Sequence, residues 1–253
     1  MLKQKIFRTG KLGFFLLFII AGNSQQELNS SASGFSGITA DTLFSAKPAF
    51  ATYNTGLNKA ALQFIKTYLK GNAPSLAKLE KRNKACLATI DAIFAKYDIP
   101  LELKYLAIIE SGLQTSLVNN SGATGIWQIM PETAHGIGLK ITDKYDPRFN
   151  VYQSTVAIAG YLKQLYAQYK DWLLVVAAYN TGPGNVNRAI RRSGSRDFWK
   201  LQSHLATETQ NHVKRYISVR YYFEEQNFLA TQAKTEERQI AKVKPASNSV
   251  SNN

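Results

Sequence analysis

The sequence has few of the side chains that commonly bind metals and redox cofactors, since its 253 residues include one cysteine and three histidines. The cysteine, Cys86, cannot form an internal disulfide, and it lies in an apolar helical stretch without the surroundings of a catalytic thiol. The histidines, His135, His204 and His212, do not have the spacing of metal ligands. We therefore predict no metal site, no cofactor and no cysteine nucleophile.

Long apolar runs are also missing, apart from one short run near the N-terminus. Residues 12–21 are apolar, basic residues precede them, and small and polar residues follow. A spanning helix needs about 20 apolar residues, so this layout predicts a secretory signal peptide over residues 1–24. Because a clean Ala-x-Ala cleavage site is missing, a retained membrane anchor is the alternative. Either way, we expect export to the periplasm or the cell envelope.

Acidic residues are few, 17 against 31 lysines and arginines, and the formal net charge is +14. Such an excess favours a polyanionic partner. No nucleic-acid module is recognisable, so we predict no nucleic-acid partner and expect the acidic cell wall or an anionic membrane face instead. The charge is equally compatible with a basic surface that only aids solubility.

Alternating strand patterns and internal repeats are scarce, and apolar residues recur mostly at helical spacing. The fold is therefore predicted to be mainly α, with little or no β structure. We expect a flexible N-terminal arm at 25–58, a catalytic domain at 59–230 and a disordered C-terminal tail at 231–253. Gly71-Asn72 is expected to end the first helix, and a second is expected to run to about Tyr97. Apolar positions at helical spacing predict later helices over about 156–166, 172–178 and 213–223.

Glu110 is the strongest candidate for an acid/base residue. It follows Leu103, Leu106 and Ala107 at spacings of seven, four and three, which places it on the apolar face of a helix that begins near Pro100. An apolar environment and the negative end of a helix dipole both disfavour an ionised carboxylate. A carboxylic acid that keeps its proton can protonate a glycosidic oxygen. The competing interpretation pairs Glu110 with an arginine or lysine of another helix.

Two further clusters are suited to a carbohydrate. The first, residues 119–133, has glycines and turn formers followed by Trp127, Gln128 and Met130, although a tryptophan there can also pack in the core. Pro131 is expected to start a short helix. The second places Tyr179 and Asn180 at the end of an apolar helix, where Tyr179 could hydrogen-bond Glu110 or simply cap the helix.

Taken in order, these clusters resemble the soluble-lytic-transglycosylase-like family, and more closely its membrane-bound lytic murein transglycosylase D branch. The similarity covers residues 99–226, about half of the chain. The matching segments are Ile109-Glu110-Ser111, Gly122 through Pro131, Ala178-Tyr179-Asn180 and Glu208-Thr209.

The resemblance implies a lysozyme-like helical domain with a substrate cleft, acting on peptidoglycan glycan strands as a lytic murein transglycosylase. It places the catalytic glutamate on Glu110 and substrate contacts on six other residues. These are Ser111, Gln128, Met130, Tyr179, Asn180 and Glu208. It is further compatible with a monomer that makes peripheral contact with the membrane or with other cell-wall enzymes.

Two departures from the family are visible. His212 stands where members often have a tyrosine, and the lysin-motif repeats common in close relatives are missing from this sequence. The resemblance implies that Glu110 acts first as acid and then as base, giving a 1,6-anhydro product. Two alternatives stay open: a goose-type lysozyme, in which Asp143 or Asp146 activates water, and a non-catalytic peptidoglycan-binding scaffold.

Overall fold

The computed structural model describes the backbone of residues 57–243 and the side chains of residues 57–225. The predicted signal peptide, 1–24, and all but the last two residues of the predicted arm, 25–58, lie outside the described residues. Helix α1, Lys59–Arg82, starts directly after Asn58, whose side chain accepts a hydrogen bond from the backbone N–H of Ala61 at 2.9 Å.

Helix α1 does not end at Gly71-Asn72, so that prediction is wrong. It continues through Gly71 and Pro74 to Arg82. A glycine in a helix costs about 1 kcal/mol and a proline about 3 kcal/mol. The buried side chains of Ile65 and Leu69 before the interruption and Leu76 after it offset that cost. Tertiary packing, which local sequence signals do not report, therefore decides where this helix ends.

The next segment carries the chain to Glu110. Helix α2, Lys84–Lys96, ends at Tyr97, as the sequence predicts. A short 3₁₀ helix, Leu101–Lys104, follows Pro100 and leads into helix α3, Tyr105–Ser111. Helix α3 ends at Gly112, which has a left-handed φ of 62° and closes the helix with hydrogen bonds from its backbone N–H.

After α3 the chain forms irregular loops that hold one short helix, α4, and then returns to a long helix. Helix α4, Pro131–Gly136, begins at the proline that predicted it. Isolated bridges pair Val118 with Thr124 and Thr124 with Ile129, so the loop before α4 folds back on itself. A 3₁₀ turn, Pro147–Phe149, leads into helix α5, Val151–Tyr169.

Helix α5 and the following helix, α6, Trp172–Thr181, agree with the helices predicted from the sequence, whereas the next two helices were not predicted. Helix α7, Pro183–Ser193, starts after Gly182, and helix α8, Phe198–Leu201, is a single turn followed by a 3₁₀ turn at Gln202–His204. Helix α7 carries several arginines and buries little besides Val186 and Ala189. Its apolar signal is correspondingly weak.

The last helix, α9, Thr207–Val243, corrects the predicted C-terminal tail at 231–253. Its backbone is helical as far as 243, and residues 244–253 lie outside the described part of the chain. The segment contains no glycine or proline and is rich in alanine, glutamate, lysine and glutamine, which are good helix formers. The prediction of disorder, made from composition, is therefore wrong for residues 231–243.

Helices pack around one apolar core in the described region. Helix α9 contacts α1, α3 and α6, while α5 lies between α2 and α6. The core includes the fully buried Trp127, Tyr216 and Phe94. No strand forms within residues 57–243, and the mainly α prediction is confirmed. Nor does that part of the chain contain a helix both long enough and apolar enough to cross a membrane.

Candidate active site

Glu110 occupies the position that its sequence spacing predicts, near the end of α3. Leu103, Leu106 and Ala107 below it are fully buried, and the Glu110 side chain keeps 18% of its exposure. The carboxyl group is therefore largely withdrawn from water, yet it still reaches the surface. An acid that must touch a large substrate needs both properties.

The partner of Glu110 is His212, which the sequence analysis did not place in the site except as a departure from the family. Its Nε2 lies 2.8 Å from Oε1 of Glu110, and the ring is 3% exposed. Glu110 therefore pairs with a histidine and not with the arginine or lysine of the competing interpretation.

Glu208 lies one helical turn before His212, on the same face of α9, because residues four apart on a helix are neighbours. Oε1 of Glu208 accepts a hydrogen bond from Nη2 of Arg215 at 2.6 Å, and 44% of its side chain is exposed. The described contacts therefore give Glu208 an ion pair beside the Glu110–His212 pair. Its contact with substrate stays a prediction.

Tyr179 does not donate to Glu110, because its single hydroxyl hydrogen goes elsewhere. The hydroxyl donates to the backbone carbonyl of Trp127 at 2.5 Å, which connects the end of α6 to the loop before α4. Burial, followed by the nearby charge of Glu110, raises the pKa of Tyr179 well above its ordinary value. The phenol is therefore a stable neutral donor. Asn180 follows it in the same helix and is half-buried, and its side chain forms no hydrogen bond with a described residue.

The loop at 122–130 is held by hydrogen bonds to its backbone carbonyls. Ser111 donates from its hydroxyl to the carbonyl of Ile126 at 2.8 Å, and Arg148 donates from Nη1 to the carbonyls of Gly122 and Ile129 at 2.9 and 2.8 Å. Together with Tyr179, these donors fix the loop against α3 and α6. Ser111 is buried, so its described role is to position the loop, and its predicted sugar contact stays a prediction.

Trp127 packs in the core, so the alternative of a sugar-facing ring is wrong. It is fully buried, its indole Nε1 donates to Thr155 at 2.9 Å, and its ring centroid lies 5.7 Å from that of Phe94. The tryptophan therefore anchors the loop from below. Of the residues that follow it, Ile129 is buried, whereas Gln128 and Met130 are half-buried.

Gln128 is half-buried and has a left-handed backbone, with φ at 47°. Such a conformation costs a non-glycine residue about 1–3 kcal/mol, and strain of this kind concentrates at functional sites. The side-chain nitrogen Nε2 donates to the carbonyls of Gly125 and Leu117 at 2.9 and 3.3 Å. Its oxygen Oε1 accepts no hydrogen bond from a described residue, which leaves it as an acceptor. Met130, also half-buried, follows at the start of α4.

Asp146 and Arg148 form a nearly buried ion pair behind this loop. Nη2 of Arg148 lies 2.7 Å from Oδ2 of Asp146, and Nε donates to both carboxylate oxygens. The hydrogen bonds from Arg148 hold the pKa of Asp146 below its usual range. Asp146 is therefore committed to Arg148, while Asp143 is exposed.

Gly125 makes the contact between this ion pair and the loop possible. Its φ is 74°, and a Cβ built on it would lie 2.1 Å from the carbonyl oxygen of Arg148. No side chain fits at that distance. The glycine was visible in the sequence, but its neighbour Arg148 was not, because 23 residues separate them.

Among the side chains that the structure describes, no group of three or more histidine, cysteine or acidic residues could hold a metal ion. The arrangement combines one sheltered carboxyl group, a histidine, a phenol-anchored loop and two half-buried side chains, Gln128 and Met130. It is suited to acid/base chemistry.

Comparison with known proteins supports this description. The Transglycosylase SLT domain family matches residues 89–202. The chain is 40% identical over 129 residues to the membrane-bound lytic murein transglycosylase D of Escherichia coli strain K12. That alignment covers 49% of this chain and 28% of the relative, so this chain spans less than a third of the relative's length.

Solved structures resemble the chain at lower identity. The 70 kDa soluble lytic transglycosylase of Escherichia coli matches with a TM-score of 0.51 at 23% identity, over 67% of this chain and 28% of that one. The complex of the 70 kDa soluble lytic transglycosylase with bulgecin A matches with a TM-score of 0.52 over the same shares, also at 23% identity. At this identity the likeness concerns the fold, and it agrees with the lysozyme-like helical domain predicted from the sequence.

Proposed function

We propose that this chain is a peptidoglycan lytic transglycosylase, because its residues 89–202 match the Transglycosylase SLT domain family. It cleaves the β-1,4 bond between N-acetylmuramic acid and N-acetylglucosamine without consuming water and leaves 1,6-anhydro-muramic ends. The observation that carries the proposal is the position of Glu110, mostly shielded, at the end of α3 and beside the fixed loop at 122–130.

In the proposed reaction Glu110 serves in two successive roles. As an acid it gives its proton to the glycosidic oxygen while the bond from C1 of the muramic residue to that oxygen breaks. As a carboxylate it then removes the proton of the C6 hydroxyl, whose oxygen bonds to C1. Glu110 thus gives up one proton and regains one, so the reaction needs no second carboxylate.

The substrate contacts proposed beside Glu110 are Gln128, Met130 and the Tyr179-Asn180 pair. The free oxygen of Gln128 can accept from a sugar hydroxyl or an N-acetyl N–H. Met130 provides apolar surface for a ring face. Tyr179, by donating to the carbonyl of Trp127, keeps this loop at a fixed distance from Glu110.

The goose-type lysozyme alternative needs a carboxylate that can activate water. Asp146, one of its two candidates, is nearly buried against Arg148 and is held ionised by it, so it is a poor base. Asp143 is exposed and outside the described contacts of Glu110. The binding-scaffold alternative gives no reason for a carboxyl group on a buried helix face paired with His212.

Glu110→Gln tests the catalytic assignment, because glutamine keeps the shape and loses the transferable proton. We expect release of soluble fragments from purified sacculi to fall by at least about 1,000-fold, with an unchanged melting temperature. Glu132→Gln is a matched control on an exposed glutamate of α4 and should retain activity. Retained activity in Glu110→Gln would contradict the proposal.

We further propose that the chain works in the periplasm or cell envelope as a monomer. The relative's printed name, membrane-bound lytic murein transglycosylase, agrees with contact at the membrane or the wall. Helix α7 and the turn after it, residues 183–196, contain four arginines and no acidic residue. Arg191 and Arg192 are exposed there and suit an anionic surface, which includes membrane, cell wall or the acidic face of another cell-wall enzyme.

Charge reversal on α7 tests that surface. The double substitution Arg191→Glu and Arg192→Glu should weaken binding to sacculi at low salt and should reduce its salt dependence. Lys78→Glu with Lys81→Glu, on α1, changes the charge equally and is the control. Equal losses in the two variants would show that net charge, not α7, governs binding.

A further inference from the structure

His212 has one ring nitrogen engaged and the other buried without a partner among the described residues. Nε2 lies 2.8 Å from Oε1 of Glu110, while Nδ1 is buried and forms no hydrogen bond with any residue of the described region. The ring as a whole is 3% exposed. Because the two nitrogens differ so sharply, they constrain where the protons of the pair can lie.

Three arrangements of protons are chemically available to the pair. In the first, Nε2–H donates to Glu110 and Nδ1 keeps a lone pair. In the second, the proton of Glu110 donates to Nε2, and the ring hydrogen is on Nδ1. In the third, both nitrogens are protonated. The second and third leave a buried N–H without an acceptor, a costly state that is rare in proteins, and the third also adds a buried charge on that side.

We propose that His212 is a positioning residue for the reaction, with a neutral ring whose hydrogen is on Nε2. This inference rests on the proposed function. Nε2–H donates to Oε1 of Glu110, so Oε2 is the oxygen that faces the substrate and carries the transferable proton. The ring keeps its own hydrogen throughout and stays out of the proton transfer.

This assignment gives the two carboxyl oxygens separate tasks. Oε2–H protonates the glycosidic oxygen as the bond from C1 breaks, and the electron pair of that bond passes to the leaving oxygen. The negative charge left on Glu110 is then stabilised by Nε2–H at Oε1. Oε2 next accepts the C6 hydroxyl proton as the C6 oxygen bonds to C1, which restores the acid.

The charged and titratable groups around the pair are compatible with a neutral ring. Tyr179 faces Glu110 from α6 as a neutral phenol, since burial and Glu110 raise its pKa. On α9 itself, Glu208 is one turn away and is held by Arg215. Glu110 is thus the acidic group in direct contact with the ring.

The first test is ¹⁵N NMR of the unmodified, full-length protein, with the His212 signals identified by their loss in His212→Gln. His135 and His204 are exposed and serve as internal references for solvent-accessible rings. We expect Nδ1 to show the chemical shift of an unprotonated nitrogen and Nε2 that of a protonated one. A protonated Nδ1 at the pH of activity would overturn the proposal.

The second test compares two substitutions by steady-state kinetics. His212→Phe keeps an aromatic ring and removes the donor, so kcat should fall about 10- to 100-fold, as expected for losing one hydrogen bond to a charged group, with KM changed less than about 3-fold. His212→Gln supplies an amide N–H and should recover most of that loss. Wild-type kcat in His212→Phe would overturn the proposal.

The two tests separate this inference from the proposed function. If the unmodified protein releases no anhydro fragments, the proposed function fails, while the NMR result still decides the tautomer. If the protein is active but Nδ1 is protonated, only the inference about His212 fails. Should His212→Phe not fold, the spectrum of the unmodified protein and the kinetics of His212→Gln give the decision.

Discussion

Substitution of Gly125 by alanine tests how the loop beside Glu110 is held. The new Cβ would lie 2.1 Å from the carbonyl oxygen and 3.0 Å from the carbonyl carbon of Arg148. Both are backbone atoms, and Arg148 is fixed by its bonds to Asp146 and to the loop itself. The backbone must therefore move.

The expected loss in the free energy of unfolding has two parts. A left-handed φ costs an alanine about 1–2 kcal/mol, and forced displacement of packed atoms adds about 1–3 kcal/mol. Gly125→Ala should therefore lower the free energy of unfolding by about 2–5 kcal/mol, which is roughly 4–20 °C in melting temperature for a domain of this size. Activity should fall as well, because the same loop carries Gln128.

Gly138→Ala is the matched control. Its φ is 82°, similar to that of Gly125, but a Cβ there has no heavy atom within 4 Å. It should lose only the conformational part, about 1–2 kcal/mol. Thermal unfolding by circular dichroism measures both variants. Equal losses would refute the claim that close packing against Arg148 fixes the loop.

Two more predictions concern the groups behind the site. Because Arg148 lowers the pKa of Asp146 in the folded protein, the ion pair stabilises the fold at pH values above the unfolded-state pKa of about 4. This stabilisation is lost as the pH falls through the lower pKa of the folded state. Asp146→Asn should therefore be less stable than the wild type at pH 7, and the difference should shrink towards pH 2 in thermal melts; a constant difference would contradict this. Tyr179→Phe removes the donor to the Trp127 carbonyl and should cost about 1–3 kcal/mol of stability together with part of the activity, whereas unchanged values for both would show that this hydrogen bond does not hold the loop.

Much of the fold could be predicted from helical spacing, since α2, α3, α5 and α6 all carry regular apolar positions. The wrong prediction for the end of α1 and the missing prediction for α7 have a common physical cause, since packing in the folded protein decides both. Helix α1 passes through Gly71 and Pro74 because its apolar residues pack against the core on either side. Helix α7 was missed because it buries only a few small residues.

The candidate site shows the same difference between contacts within one segment and contacts between distant segments. The sheltered position of Glu110 could be predicted because Leu103, Leu106 and Ala107 lie on its own helix or on the 3₁₀ helix directly before it. His212 and Arg148 act through contacts across 102 and 19 residues of sequence, which no local pattern reports. The hydroxyl of Tyr179 likewise contacts a backbone carbonyl, an acceptor that every residue offers.

The most direct test of the central claim is to digest purified sacculi in ¹⁸O-labelled water and to analyse the products by mass spectrometry. If Glu110 accepts the C6 hydroxyl proton while the C6 oxygen bonds to C1, no water enters, and the muramic ends will be one water lighter than hydrolytic ends and will carry no label. Ends of full mass that contain one ¹⁸O atom would show hydrolysis and would contradict the account.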